Sequence, residues 1–350
     1  MRVLEIPPCR LFLIPASSNA LSTSLKKIEI DSVIQWGDSS IDPIEEFKQM
    51  VSVWQDKTVA LVVNESLIKV LTGFVTETDF RRFEILPDSF VFMEVGSDGR
   101  GVLHILNWGK QTFLPVTDQR KCRVFLFRHG QAMAVEEGGR VWSHHPIGLT
   151  ALGREQASQA SVRVQNEIFA AFYSSSLNRT AETAQKIAEP HGREVILSDE
   201  LMEIRLGEFE GLTLANVHEK RDHRFVPWLE VTFNEEFPHK DFHHAADLVF
   251  PGGESILMVH TRVKSEYQRI VKRHLGEAIA LVSHTWTIQP LLCFILGGSP
   301  INYFRFGLRY ATDTIVEVDE TGEGQLLALN ANLLLDEVAG KRLKFKLSVG

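Results

Sequence analysis

Arg128 and His129 close the apolar run Val124–Phe127 and are followed by Gly130, so a guanidinium and an imidazole meet where a strand would end. Alone, such a tripeptide means no more than an exposed pair. Three further ionisable residues stand in comparable places: Arg179 in FYSSSLNRTAETA, Glu203 in LMEIRLGEFEGLT and His284 directly after AIALVS. An imidazole with an ordinary pKa of about 6.5 has a free lone pair near neutral pH and can attack phosphorus. Arg128 and Arg179 supply the forked donors that a phosphate dianion takes, and His284 adds another N–H. Fixed cations of this kind stabilise charge on the equatorial oxygens during in-line transfer without a metal. Glu203 completes the set, giving a proton to a leaving alkoxide and later taking one from water.

The elements around these residues must bring their four positions to one place. VFLF at 124–127, AFYSS at 171–175 and AIALVS at 278–283 read as buried strands. They alternate with helical patterns, one from Thr150 with Ala157, Ala160, Val164 and Ile168 on a single face, another in RTAETAQKIAE. Alternation of this kind predicts a layered α/β sheet, mostly parallel, whose ligands bind off the carboxyl ends of the strands. Glycines at 322 and 324 between two apolar runs add a closing hairpin, which predicts an antiparallel edge.

The chain also echoes itself. CRLFL at 9–13 matches CRVFL at 122–126, ALVVN at 60–64 matches ALVSH at 280–284, and Phe83 to Asn107 matches Phe306 to Asn330 at a constant offset of 223. The three windows are collinear, so residues 1–107 read as a shortened copy of the second unit at 122–350, with 108–121 as a linker between them. In the first copy Pro15 and Ala16 stand where Arg128 and His129 stand, and Asn64 stands for His284. The stretch that would hold counterparts of Arg179 and Glu203 is missing. The first copy is therefore expected to be catalytically inactive and to serve packing, dimerisation or partner binding.

RHG, SSLNRTAETA, LMEIRLGEFEG, FPGGES and VSH, in that order, resemble the histidine phosphatase superfamily, in its phosphoglycerate-mutase-like or α-ribazole-phosphatase-like branch, over about 122–335. LTALGREQA at 149–157 agrees with it too. The resemblance implies a three-layer α/β/α sandwich, a phosphohistidine on His129, a phosphate pocket of Arg128, Arg179 and His284, Glu203 as proton donor, and no cofactor. Gln131, Arg140 and Thr285 are the neighbours expected to touch substrate. Several positions depart from the family pattern. Gln131 is followed by Ala132, and Val135 stands where many members carry a phosphate-holding Asn. The turn EGLTL has Leu214 where mutases carry Lys, and Trp228 is followed by Leu229 and Glu230 rather than an Arg pair. These losses favour hydrolysis over mutase activity. Thr285 replaces the usual Gly after His284, and Pro290 falls in the next helical pattern.

A substrate-selecting lid is expected at about 213–249, rich in histidine and aromatic residues. His218, Arg221, His223 and Arg224 there, and Arg140, His144 and His145 nearer the motif, are candidates for a second anionic group of the substrate. His239, His243 and His244 fit no metal-ligand spacing, so no metal is expected. A net charge of −8 and the lack of a basic tract argue against nucleic acid, leaving a small phosphorylated metabolite as the partner. No apolar run reaches membrane-spanning length, and Cys9, Cys122 and Cys293 lie in apolar runs without metal or redox spacing. A cytoplasmic protein is expected, with a homodimer as one assembly the first copy could serve. Competing readings are a non-catalytic phospho-ligand-binding regulator and a phosphoprotein phosphatase. Retention of the five-residue set opposes the first, and a long lid over a closed pocket opposes the second.

Overall fold

The structure, a computed structural model, describes residues 8–16, 30–36, 42–86, 89–108, 115–133, 140, 142–213, 216 and 246–332. In chain order it contains β1 (Cys9–Pro15), β2 (Ser32–Gln35), α1 (Pro43–Val53), β3 (Thr58–Val63), α2 (Glu65–Thr76), β4 (Val91–Val95) and β5 (Gly101–Ile105). After these come β6 (Cys122–Arg128), α3 (Ala151–Val164), β7 (Phe169–Ser175), α4 (Asn178–Ala188), β8 (Val195–Ser198), α5 (Ile256–Arg273), β9 (Ala278–Ser283), α6 (Thr285–Ile295), β10 (Asp313–Val318) and β11 (Gly324–Leu329). Short 3-10 turns lie between several of these.

The second sheet has the order β11-β10-β6-β9-β7-β8. β6, β9, β7 and β8 run parallel, while β10 pairs antiparallel with both β6 and β11. Alternation along β6 decides what covers each face. Val124 and Leu126 join a core with Val259, Val263 and Tyr267 of α5, whereas Phe125 and Phe127 join one with Ala160 of α3 and Ile187 of α4. This is the three-layer α/β/α arrangement, and both faces of the central strand are apolar because both are buried. Each buried Phe or Val contributes about 1.5–3 kcal/mol by leaving water, so the carboxyl end of β6 is anchored before any chemistry is asked of it.

The first sheet has the order β2-β3-β1-β4-β5, with β1 and β3 parallel and β4 antiparallel to β1 and β5. Its register repeats that of the second sheet. Phe12 pairs with Ala60 as Phe125 pairs with Ala280, and the hairpins slip register between Phe92 and Met93 as between Ile315 and Val316. A Cβ on Gly101 would meet the Glu94 carbonyl oxygen at 2.0 Å, and one on Gly324 would meet that of Glu317 at 2.0 Å. Both hairpins therefore need glycine at the same point. The halves share one core, since Leu11, Leu61, Phe47 and Ile68 belong to the same buried cluster as Val124, Tyr267 and Leu292.

One sequence expectation needs correcting. Ile168 lies outside α3, which ends at Val164, and it is 81% exposed. Once the helix stops, the i+4 spacing from Val164 no longer points inward. Pro290 lies inside α6, as its place in the helical pattern implies, with Gln289 and Leu291 buried on either side.

Candidate active site

His129 sits one residue beyond β6, whose last residue is Arg128. Gly130 lets the chain turn there at very close range to α3: a Cβ on Gly130 would lie 2.3 Å from the Gly153 carbonyl oxygen, and one on Gly153 would lie 2.0 Å from that of Gln131. Two glycines, one in RHG and one in LTALG, thus press the turn onto the start of the helix. Thr150 caps that helix through Gly153 N at 2.9 Å, and Thr183 Oγ1 accepts the Gly130 N–H at 3.1 Å.

His129 Nδ1 is 2.7 Å from the Gly130 carbonyl oxygen, which can only accept, so the ring proton is on Nδ1. The Nε2 lone pair then faces Arg179, whose Nε donates to it at 3.3 Å. Burial, followed by the charges of Arg179 and Arg128, holds the His129 imidazole well below its ordinary pKa. The ring is neutral and held in one orientation. The His284 ring lies 5.2 Å from that of His129, and its Nε2 is paired with Ser175 Oγ at 2.9 Å. Burial, then Arg179, also keeps His284 neutral.

Arg179 is in the first turn of α4, after β7, with Nη2 donating to the Ser143 carbonyl at 2.8 Å. Burial lowers its pKa to about 10, which leaves it a cation at neutral pH. Its Nη1, Arg128 Nε and His284 Nδ1 are buried nitrogens without a hydrogen-bond partner among the described residues. Leaving such donors unmet costs about 1–3 kcal/mol each, so their grouping is what an anion site requires.

Glu203 is reached from β8 through the 3-10 turn Asp199–Leu201, so it stands a short way beyond the strand rather than directly at its end. Its Oε1 accepts from Ile204 N at 3.0 Å and its Oε2 from Trp286 N at 3.4 Å, which ties it to the start of α6. Burial raises its pKa despite those bonds and despite Arg179 and Arg128. Arg262 of α5 steadies the same stretch, donating to the carbonyls of Glu200, Met202 and Glu203 while paired with Glu254 at 2.8 Å.

The neighbouring candidates divide. Gln131 turns its side-chain oxygen to Thr150 Oγ1 at 2.9 Å, beside the helix cap. Arg140 donates to the Gly211 carbonyl at 2.7 Å, bridging the two loops. His144 donates from Nε2 to the Glu203 carbonyl at 2.8 Å, and His145 stacks on Trp142 with ring centres 4.3 Å apart. Thr285 opens α6 next to His284. Val135, Leu214, His218, Arg221, His223, Arg224, Trp228, His239, His243 and His244 lie outside the described residues. Among the described residues no group of three His, Cys, Asp or Glu side chains could hold a metal ion, and no helix is long and apolar enough to cross a membrane.

Tyr310 is the neighbour that sequence reading missed. Arg128 lies over its ring at 3.8 Å, and its ring is 5.8 Å from that of His129. No strand precedes it, and only the return of β10 alongside β6 brings it to the site.

The first half holds nothing equivalent at the matching positions. Asn64 caps α2 by accepting from Leu67 N at 2.7 Å, whereas His284, in the same place before α6, makes no capping bond.

Comparison with known proteins agrees with this geometry. Residues 124–332 match the model of the histidine phosphatase superfamily (branch 1). The chain is 32% identical over 215 residues to phosphoserine phosphatase 1 of Hydrogenobacter thermophilus, covering 61% of this chain and 95% of that protein. It is 29% identical over 209 residues to a bifunctional protein of Mycobacterium tuberculosis, where the match covers 59% of this chain but only 53% of the relative. The α-ribazole phosphatase from Shigella flexneri shares the fold, with a TM-score of 0.50 at 21% identity over 61% of this chain and 98% of that one.

Proposed function

Starting from a chain that belongs to the histidine phosphatase superfamily, branch 1, and is a phosphatase, we propose that it hydrolyses a small phosphate monoester through a phosphohistidine on His129, without a metal. The observation that carries this reading is the orientation of His129. Its Nδ1–H is pinned to the Gly130 carbonyl, which leaves the Nε2 lone pair toward the cationic pocket.

In the first step Nε2 attacks phosphorus, the P–O bond to the alcohol breaks, and the Glu203 carboxyl gives its proton to the leaving alkoxide. In the second, water attacks the phosphohistidine, Glu203 takes the proton of that water, and the P–N bond breaks to release phosphate. Arg128 and Arg179 meet the equatorial oxygens in both steps, and their charge supplies the stabilisation a metal would otherwise give. Arg179 turns from the imidazole to the arriving phosphate. The substrate class rests on the net charge of −8 and on the likeness to a phosphatase of phosphoserine, a small alkyl phosphate.

We also infer that residues 1–107 are a shortened relative of the same fold whose chemistry has been lost. Matching register, matching hairpin glycines and the capping role of Asn64 support this.

The test is phosphate release from a panel of small metabolite phosphomonoesters and an aryl phosphate, with chelator present. Wild type should turn over at least one ester, and His129→Ala should lose at least about 1,000-fold in kcat, in line with removal of a covalent nucleophile. An inert wild type, or a variant at full rate, would refute the reading. A rate abolished by chelator would refute its metal-free part.

A further inference from the structure

We propose that Tyr310 is a positioning residue for Arg128, and that the first half of the chain holds Tyr310 in place. The proposal rests on the phosphatase reading and adds a part to the same site.

One short segment grips Arg128 in three ways. Leu308 O accepts from Arg128 Nη1 at 3.1 Å, Ala311 N donates to Arg128 O at 2.9 Å, and the guanidinium carbon lies 3.8 Å from the centre of the Tyr310 ring. Stacking on a ring face fixes the plane of a guanidinium while leaving its N–H edge free for an anion. The Nε of Arg128, buried and without a hydrogen-bond partner among the described residues, is on that edge.

The segment that carries Tyr310 is held from β5. Phe306 bridges to Leu103, and Gly307 N donates to Leu103 O at 2.9 Å. Asn330 Nδ2 donates both to Gly307 O and, at 2.7 Å, to His104 O, while Asn330 Oδ1 accepts from Arg309 N at 3.2 Å. The His104 ring lies so close that a Cβ on Gly307 would sit 2.5 Å from its Nδ1. That ring is not free to swing away, because it stacks on Phe92 at 5.5 Å and is tied to Glu94 at 3.0 Å. Residues 306–310 are therefore held from the first half by Leu103 and fitted closely against His104, beside the bond from Gln289 to Phe306 O in their own half, and the Arg128 side chain is held by residues 308–311.

The experiment measures inorganic phosphate binding to the full chain by calorimetric titration, which needs no turnover, beside KM and kcat on an aryl phosphate. Tyr310→Leu should weaken phosphate binding and raise KM together, by roughly 3- to 30-fold for a desolvated cation–π contact, with kcat less affected. Tyr310→Phe keeps the ring and should stay within about twofold of wild type on the same scale. Gly307→Ala should reproduce the loss seen with Tyr310→Leu, and His104→Ala added to Gly307→Ala should recover most of it by removing the clash. Phosphate affinity unchanged in Tyr310→Leu would overturn the role of Tyr310. Failure of His104→Ala to rescue Gly307→Ala, in variants with wild-type circular dichroism, would overturn the role of the first half. A wild type that binds phosphate but turns nothing over would sink the hydrolase reading and leave these arms readable. One that binds no phosphate would sink both.

Discussion

His129 and Glu203 are buried together, and burial moves their acidities in opposite directions because it disfavours whichever form is charged. The imidazole is held well below its ordinary value by burial, then by Arg179 and Arg128, while burial raises the Glu203 carboxyl. In the proposed mechanism the reactive form has His129 neutral and Glu203 protonated. Activity should therefore rise with pH as the depressed imidazole loses its proton, and fall as the raised carboxyl loses its own. On an alkyl phosphate kcat/KM should trace a bell, and Glu203→Gln should lower it by about 100- to 10,000-fold and remove the alkaline limb. An aryl phosphate, whose phenolate leaves without a proton, should lose much less. Survival of the alkaline limb in Glu203→Gln would assign it to the substrate phosphate instead. At this scale His129, Arg128, Arg179, His284 and Glu203 were legible because each comes after an apolar run closely enough to face a sheet edge. Tyr310 was not, since its partner is 182 residues away and the contact exists only through sheet pairing.

The join between β6 and α3 shows what an element contributes that a residue cannot. Gly130 and Gly153 face each other so closely that either added Cβ meets a carbonyl oxygen, and Thr150 caps the helix into the same junction. Gly153→Ala improves helix propensity yet forces the RHG turn away from α3. It should cost about 1–3 kcal/mol, as overpacking does, and lower kcat through a displaced His129. A gain in urea midpoint with full activity would show that the junction has room. Parallel order, the antiparallel edge and the helices after β6 and β7 could be read from periodicity and hairpin glycines. The end of α3 could not, because Gln165 and Asn166 carry no strong stop signal and Ile168 keeps the helical spacing. Likewise β2 lies beyond any of the matched windows, and its alternation of half-buried and exposed residues gives little apolar signal.

Across the whole molecule, bonds between the halves come in pairs that the offset of 223 interchanges. Arg82 donates to Gly324 O as Arg305 donates to Gly101 O, and Glu84 N donates to Leu326 O as Gly307 N does to Leu103 O. Leu106 and Leu329, which the offset interchanges, pair with each other. Asn107 reaches Leu327 O and Glu84 O, and Asn330 reaches His104 O and Gly307 O in the same manner. The halves thus meet about a pseudo-twofold, as two copies in a symmetric dimer would. The matched sequence windows give the offset but not this interface, because nothing in such a match says which surfaces the two halves share. On the proposed reading only the second half has a site to support, so the symmetry of packing should not extend to function. Asn107→Ala and Asn330→Ala should each destabilise by about 2–4 kcal/mol, from buried partners left unmet. Because the core is shared, each variant should unfold in one urea transition seen alike by tryptophan fluorescence and circular dichroism. Phosphate affinity should then separate them: Asn330 holds Gly307 and Arg309 beside Tyr310 and its loss should weaken binding, whereas Asn107 holds Glu84 and Leu86 and its loss should not. Equal losses of phosphate affinity in both variants, or two resolved unfolding transitions, would contradict this division of labour between the halves.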